Sequence, residues 1–191
     1  MKNICVFCGS SKGNRPEYEA AAHDLGKMMA ERNQTLVYGG GNIGLMGIVA
    51  DSVLKHGGDV IGVIPDFLMK REVGHLGLTQ LHVVSSMHER KQKMAELADA
   101  FIAMPGGFGT LEELAEIVTW VQLELIKKPI ALLNIEGYYT NLIAQLNTMT
   151  SGGFTSAKHR TILQDKSSPQ EILDLFDTIH ANGGAQNLER T

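Results

Sequence analysis

Short apolar runs alternate along this chain with longer segments of helical periodicity, and this alternation limits the possible folds more than any other feature. The runs are too continuously apolar for strands exposed on one face, which is typical of a parallel sheet covered by helices on both sides. The sequence therefore predicts an α/β fold, an open and doubly wound parallel sheet that binds its ligand at the carboxyl ends of the strands. The six runs are NICVF, TLVYG, DVIGVIP, LHVVS, AFIAMP and PIALLN, and the helical segments between and after them are residues 17–31, 43–55, 87–98, 111–126 and 138–149.

The 191 residues suit one domain of ordinary size. A final helix is predicted from about Pro169 to Ala181, with Ser168 as its N-cap and a proline at the first helical position. Neither an internal repeat nor a change of composition suggests a second domain. We therefore expect residues 1–181 to form a single domain and residues 182–191 to form a flexible tail.

Charge and hydropathy exclude several classes of partner. The net charge is −4, with acidic and basic residues mixed throughout, so no basic stripe is available for a nucleic-acid polymer or an anionic membrane. The apolar run at the start is too short for a signal peptide, and no later run approaches the roughly 20 apolar residues of a membrane span. We expect a cytoplasmic protein whose partner is a small molecule.

Cys5 and Cys8 have the C-x-x-C spacing of a redox motif. Because Cys5 lies in a predicted strand, residues three apart point to opposite faces, and the two thiols are expected to be buried apart from each other. The seven histidines show no H-E-x-x-H or clustered spacing, so no metal is predicted.

Three loops rich in small residues each follow a predicted strand. CGSS follows the first strand, YGGGNIGLMG the second and PGGFGT the fifth. Glycine permits positive φ and close approach of the backbone, and the start of the following helix attracts anions. The sequence therefore predicts a phosphate-binding edge, and the candidate residues in the first two loops are Gly9, Ser10, Gly40, Gly41 and Gly44.

The spacing of Gly39, Gly41 and Gly44 also matches the dinucleotide fingerprint G-x-G-x-x-G. Asp66 follows at about the distance expected of an acid that binds a ribose, so an NAD-dependent oxidoreductase is one alternative. However, the motif lies in the second strand–helix unit, and PGGFGT supplies another phosphate-binding turn. Two such turns without an evident nicotinamide site favour a mononucleotide.

Two S/T-x-x-E patterns leave a structural and a functional interpretation open. Thr110 and Glu113 could form a capping box at the start of a helix, or Glu113 could be a carboxylate held beside a phosphate. Ser86 and Glu89 could cap another helix, in which Arg90 and the following lysine would be either a solvated face or ligands of a phosphate.

With these elements taken together, the sequence closely resembles the Lonely-guy family, the cytokinin riboside 5′-monophosphate phosphoribohydrolases. The family's M-x-x-R-K element matches Met87, Arg90 and Lys91, and its P-G-G-x-G-T-x-x-E element matches Pro105 to Glu113. The similarity extends from about Ile4 to Ile143. In LMKRE, Lys70 replaces the proline that is usual before the basic residue.

The resemblance implies a Rossmann-like homodimer that hydrolyses the N-glycosidic bond of adenine-type nucleoside 5′-monophosphates, such as AMP, without a cofactor. It implies that Arg90 and Glu113 are catalytic. Such proteins have often been labelled lysine decarboxylases, but nothing here marks a lysine that would hold pyridoxal phosphate. The substrate-binding residues that it adds to the glycines above are Glu72, Met87, Lys91, Gly107, Gly109, Thr110, Leu111, Glu112 and Thr119.

The implied reaction suits these residue types. Cleavage of an N-glycosidic bond develops positive charge on the ribose and negative charge on the departing base, so a carboxylate such as Glu113 could stabilise the ring and orient water. Arg90 could anchor the nucleotide or offset the charge of the base. A non-catalytic binding module, such as a molybdenum-cofactor carrier, is the other alternative, although it has no need for both residues. Segments 87–98 and 111–126 are apolar on more than one face, which favours a homodimer.

Overall fold

The structure, a computed structural model, describes residues 1–69 and 74–183. The described residues form a sheet of seven parallel strands in the order β4-β3-β2-β1-β5-β6-β7. The direction of the strand order reverses beside β1, whose neighbours are β2 and β5. The strands are Asn3–Phe7 (β1), Thr35–Tyr38 (β2), Val60–Pro65 (β3), Gln80–Val84 (β4), Ala100–Ala103 (β5), Ile130–Leu133 (β6) and Leu163–Lys166 (β7).

Helices cover both faces of this sheet. They are Pro16–Glu31 (α1), Gly44–Lys55 (α2), Asp66–Met69 (α3), Met87–Leu97 (α4), Phe108–Gln122 (α5), Thr140–Ser151 (α6), Ala157–Arg160 (α7) and Pro169–Ala181 (α8), with a 3₁₀ turn at Ile135–Gly137. One core cluster joins the sheet to α1, α2 and α8, and the other joins it to α4, α5 and α6. The predicted doubly wound α/β fold is confirmed.

All six apolar runs form strands, whereas β7 was not predicted. Its sequence, LQDK, carries one buried apolar residue, Leu163, and as an edge strand it pairs with β6 alone. An edge strand needs little apolar surface, so its sequence gives almost no periodic signal. The short helices α3 and α7 were missed for the same reason, since four residues are too few to show a helical period.

The two cysteines lie on opposite faces, as predicted. Cys8 belongs to the α1–α2–α8 cluster and Cys5 to the other, and both are buried free thiols. The predicted final helix is α8, residue for residue, with Ser168 as its cap. Of the predicted tail, residues 184–191 lie outside the described residues.

No helix within residues 1–69 and 74–183 is long and apolar enough to cross a membrane.

Candidate active site

The three small-residue loops meet at one edge of the sheet because β2, β1 and β5 are neighbours in it. The backbone N–H of Gly9 donates to the carbonyl oxygen of Pro105 at 3.0 Å, and the N–H of Leu45 donates to the carbonyl oxygen of Gly9 at 3.0 Å. The first loop is thus hydrogen-bonded to both of the others. This edge is the point where the strand order reverses, where open α/β sheets bind their ligands.

Two glycines allow the loops to pack this closely. Gly44 has φ +61°, and a Cβ added to it would lie 2.2 Å from the carbonyl carbon of Ser10. A Cβ added to Gly106 would lie 2.1 Å from Oγ1 of Thr110 and 2.9 Å from the backbone nitrogen of Gly9. Neither position has room for a side chain, so backbone rather than side chains forms the walls where the loops touch.

Arg90 is buried beneath these loops, with 5% of its surface exposed. Its Nη2 donates to the carbonyl oxygen of Gly39 at 3.0 Å, and its Nε donates to the carbonyl oxygen of Val63 at 3.2 Å. Gly39 directly follows β2 and Val63 lies in the second half of β3, so two adjacent strands hold the guanidinium in one orientation. The interpretation of Arg90 as part of a solvated face is therefore wrong.

Glu113 faces this arginine. Its Oε1 lies 4.0 Å from Nη1 of Arg90, and 12% of its side chain is exposed. Arg90 is in α4 and Glu113 is in α5, so the pair depends on how the two helices pack on the sheet. A carboxylate and a guanidinium, both shielded from solvent, are thus brought together at the strand ends.

The capping-box interpretation of Thr110 and Glu113 is wrong. Helix α5 begins at Phe108, three residues before the predicted start, and no described side chain caps its first residue at the Gly107 N-cap. Thr110 is therefore the third helical residue, buried against Gly106, and Glu113 is the sixth. By contrast, the predicted cap of α4 is confirmed, because the hydroxyl of Ser86 accepts the N–H of Glu89.

Lys91 forms a second charged link between α4 and α5. Its Nζ lies 2.5 Å from Oε1 of Glu112 and 3.0 Å from Oε2 of Glu116, and 8% of its side chain is exposed. Burial by itself lowers the pKa of Lys91, but the hydrogen bonds and charges of the two glutamates outweigh it and raise the pKa. The lysine stays charged, and it holds the first turns of α5 against α4.

The thiol of Cys8 lies close enough to respond to both members of the Arg90–Glu113 pair. Burial raises the pKa of Cys8 well above its ordinary value, the charge of Glu113 raises it further, and Arg90 opposes the shift. A thiol in this state stays protonated and is a poor nucleophile.

The structure separates two predicted substrate contacts from this pair. Leu111 and Thr119 line a cleft of about 330 Å³ between α5 and α6, together with Leu142, Leu146 and Met149. Leu111 precedes Glu113 by two residues, which places it on the opposite side of the helix. The hydroxyl of Thr119 donates to the carbonyl oxygen of Ala115 at 2.8 Å.

The other predicted site residues lie in or beside the loops. Met87 begins α4, and its sulfur is 3.9 Å from Nη1 of Arg90. Gly40 has φ +76°, which a glycine permits. At Gly107 and Gly109, an added Cβ would meet no described atom within 4 Å beyond the adjacent residues and the helix backbone. Glu72 lies outside the described residues.

Sequence reasoning missed two tyrosines that hold the PGGFGT loop. The hydroxyl of Tyr138 donates to the carbonyl oxygen of Gly106, and that of Tyr139 donates to the carbonyl oxygen of Met104 at 2.6 Å. Their position just after β6, next to β5 in the sheet, was the available signal. Within the part of the chain that the structure describes, no three His, Cys, Asp or Glu side chains are grouped as metal ligands.

A parallel sheet with a glycine-lined switch point and a buried arginine facing a carboxylate is typical of a nucleotide-binding α/β enzyme. A protein of Oryza sativa subsp. japonica named as a probable cytokinin riboside 5′-monophosphate phosphoribohydrolase is 50% identical over 91% of this chain and 75% of its own. A cytokinin riboside 5′-monophosphate phosphoribohydrolase of Arabidopsis thaliana is 49% identical over 91% of this chain and 81% of its own. The chain belongs to this family of phosphoribohydrolases, which confirms the resemblance and identifies the protein as a hydrolase.

The family model that matches residues 46–176 is described as possible lysine decarboxylase. Among solved structures, the molybdenum cofactor binding protein from Rippkaea orientalis has a TM-score of 0.71 at 24% identity, covering 94% of this chain and 98% of that one. The Moco carrier protein from Chlamydomonas reinhardtii has a TM-score of 0.70 at 19% identity, covering 95% and 98%. At these identities the likeness concerns the fold alone.

Proposed function

We propose that the protein hydrolyses the N-glycosidic bond of a nucleoside 5′-monophosphate whose base is adenine or an N6-substituted adenine, giving the free base and ribose 5-phosphate. The observation that carries the proposal is the buried pair of Glu113 and Arg90, 4.0 Å apart, at the glycine-lined strand ends. The relatives that are about half identical over nine-tenths of the chain are named for this reaction.

The start of α5 is suited to the substrate's phosphate. Its N-cap is Gly107, without a capping side chain among the described residues, so backbone N–H groups of the first turn and the positive end of the helix dipole are available to an anion. Gly107, Gly109 and Thr110 would contact the nucleotide, together with Gly9, Ser10 and Gly41 of the other two loops. Lys91 would hold the next two turns of α5 in place through Glu112 and Glu116.

Glu113 would act on the ribose. As the bond to the base breaks, positive charge develops at C1′ and the ring oxygen, and a preorganised carboxylate stabilises that charge while it orients the attacking water. Arg90 would keep the carboxylate in place, since two of its N–H groups are committed to backbone carbonyls and a third nitrogen faces Glu113. Its positive charge also offsets the charge of the departing base.

We also propose that the protein is a homodimer of the cytoplasm. Helix α5 and the turn after it leave large apolar residues in solvent, with Phe108 93% exposed, Leu123 61% and Leu125 66%. Together with the apolar cleft between α5 and α6, this surface suits a symmetric contact with a second copy that involves α4 and α5. A reducing compartment keeps Cys5 and Cys8 as thiols.

Light scattering at micromolar concentration tests the dimer. We expect twice the mass of the chain, and a monomer mass would contradict the proposal. Replacing Leu123 and Leu125 together by glutamate should shift the mass to the monomer, because two charges would be buried in the interface.

The reaction is tested by incubating the protein with AMP and with its N6-isopentenyl derivative. Free base is followed by chromatography and ribose 5-phosphate by an enzymatic assay, and we expect the two products in equal amounts. Adenosine, which lacks the phosphate, is the control and should be cleaved far more slowly. Tight binding of AMP without release of base would instead indicate a binding module.

A further inference from the structure

His75 is a buried polar residue to which the proposed mechanism gives no role. It is 8% exposed and lies between α3 and β4. Its Nε2 is 2.9 Å from Oδ1 of Asp51 in α2, and its Nδ1 accepts the backbone N–H of Gly77 at 3.1 Å. Because a backbone N–H can only donate, Nδ1 is the acceptor and Nε2 carries the proton that is donated to Asp51. A neutral imidazole in one tautomer satisfies both contacts.

The backbone at Gly74 and His75 is hydrogen-bonded to the second glycine loop, YGGGNIGLMG. The N–H of His75 donates to the carbonyl oxygen of Gly40 at 3.0 Å, and Gly74 pairs with Gly41 in an antiparallel bridge. Asp51 belongs to α2, the helix into which that loop leads. The residue therefore holds the loop through its backbone and the following helix through its ring.

This loop supports Arg90. The carbonyl oxygen of Gly39 accepts Nη2 of Arg90, and a Cβ added to Gly39 would lie 2.0 Å from that nitrogen. A Cβ added to Gly40, the neighbour that His75 holds, would lie 3.0 Å from Cβ of Ile64 in β3. With so little free space, a displacement of Gly40 moves the carbonyl of Gly39 and with it the guanidinium.

We propose that Asp51 and His75 form a latch that positions Arg90 through the glycine loop, which makes His75 a positioning residue for the reaction. The kinetic part of this inference rests on the proposed function. A displacement of about 1 Å in a group that acts at the reacting centre costs up to about 100-fold in rate. The His75 side chain is 10% exposed but the carboxylate of Asp51 is 64% exposed, so water can replace that carboxylate and its loss should cost little stability. Loss of the latch should therefore lower kcat while it changes the free energy of unfolding little. Loss of a core contact would lower the free energy of unfolding.

The test compares His75→Ala, Asp51→Ala and Asp51→Asn with the wild type, and His23→Ala, an exposed histidine of α1, is the matched control. For AMP we expect kcat to fall about 10-fold or more in His75→Ala and about 3- to 10-fold in Asp51→Ala, with KM within about 3-fold. Asp51→Asn keeps an acceptor oxygen for Nε2–H and should stay within about 2-fold of the wild type, as should His23→Ala. If His75→Ala does not fold, Asp51→Ala decides the test.

Amide hydrogen exchange of residues 39–46 supplies a readout that does not depend on activity. Exchange there should be faster in His75→Ala and Asp51→Ala than in the wild type, and unchanged in the control. A kcat within 2-fold of the wild type in both alanine variants would overturn the positioning role, and unchanged exchange would overturn the latch itself. If the wild type releases no base, the proposed function fails, and the exchange measurement still decides whether the latch exists.

Discussion

Helices α8 and α5 carry the same local pattern, a serine or threonine followed three residues later by a glutamate, yet the two glutamates have different surroundings. In α8, Ser168 accepts the N–H of Glu171 and the carboxylate accepts the N–H of Ser168, which is a complete capping box. In α5 the helix has already begun at Phe108, and the carboxylate of Glu113 points to Arg90.

The difference comes from the residues that precede each pattern. Pro169 favours a helix that begins directly after Ser168. Before Thr110, by contrast, two glycines follow β5 and allow the chain to enter the helix early, with the threonine packed on Gly106. A glutamate that binds its own helix start is exposed, whereas one displaced by three residues, a little less than one turn, can face another helix. The pattern thus identifies a helix start, and its surroundings decide what the carboxylate does.

The largest effect is expected from Arg90, because Glu113 faces this arginine whereas Glu171 caps its own helix. Arg90→Ala should abolish release of base from AMP while the protein stays folded, and Arg90→Lys should retain little activity because an ammonium cannot bond both strand-end carbonyls and face Glu113. Arg32→Ala, which removes ion pairs with Asp174 and Asp177 far from the glycine loops, is the control and should keep full activity. Turnover near the wild-type rate in Arg90→Ala would remove Arg90 from the mechanism.

The next effect compares the two glutamates directly. Glu113→Gln should bind AMP, melt within a few degrees of the wild type and hydrolyse AMP at least about 100-fold more slowly, because the amide carries no charge to stabilise the ribose. Glu171→Gln should leave the rate unchanged. If Glu113→Gln retains more than about a tenth of the wild-type rate, the required carboxylate lies elsewhere, and Glu72 and Glu112 are the next candidates.

A smaller effect is expected at the glycines that let α5 begin early. Gly106→Ala brings a methyl group 2.1 Å from Oγ1 of Thr110 and should lower the free energy of unfolding by about 1–3 kcal/mol, as overpacking does. Gly107→Ala meets no described atom beyond the adjacent residues and should cost less, about 0.5–1 kcal/mol, because alanine is a poorer N-cap than glycine. Urea denaturation measures both, and equal stabilities would show that the contact of Thr110 with Gly106 does not set the start of α5.

The smallest effect is expected at the α8 cap. Ser168→Ala should cost about 1 kcal/mol of stability without changing kcat.

Hydrogen bonds from the side chains of Ser167 and Ser168 and from their backbone N–H groups lower the pKa of Glu171. Because the folded-state pKa is the lower one, the contribution of this carboxylate is present above its unfolded-state value of about 4.3 and is lost as the pH falls through the folded-state value.

Melting temperatures from pH 7 down to pH 3 check this sign. The difference between the wild type and Glu171→Gln should shrink as the medium becomes acidic. A difference that is constant across this range would show that the carboxylate contributes nothing through its charge.

Sequence alone determined the sheet and the edge at which its glycine loops meet. Continuous apolar runs predict strands that are buried on both faces of a sheet. Six strands were therefore predicted, and the polar edge strand β7 was not. The glycine loops after β1, β2 and β5 predicted the binding edge, because parallel strands bring their carboxyl ends together. The family elements at Arg90 and Glu113 identified the pair that the structure brings within 4.0 Å.

Only the tertiary structure decided what several of these residues contact. A capping pattern is local and fits more than one helix start, so whether Glu113 caps or faces Arg90 depends on where α5 begins and how it packs on α4. Leu111 and Thr119 lie in the cleft beside α6, and His75 is linked to Asp51 across 24 residues. Such contacts join distant parts of the chain and leave no periodic trace in the sequence, because their energy depends on burial and orientation that the folded sheet creates.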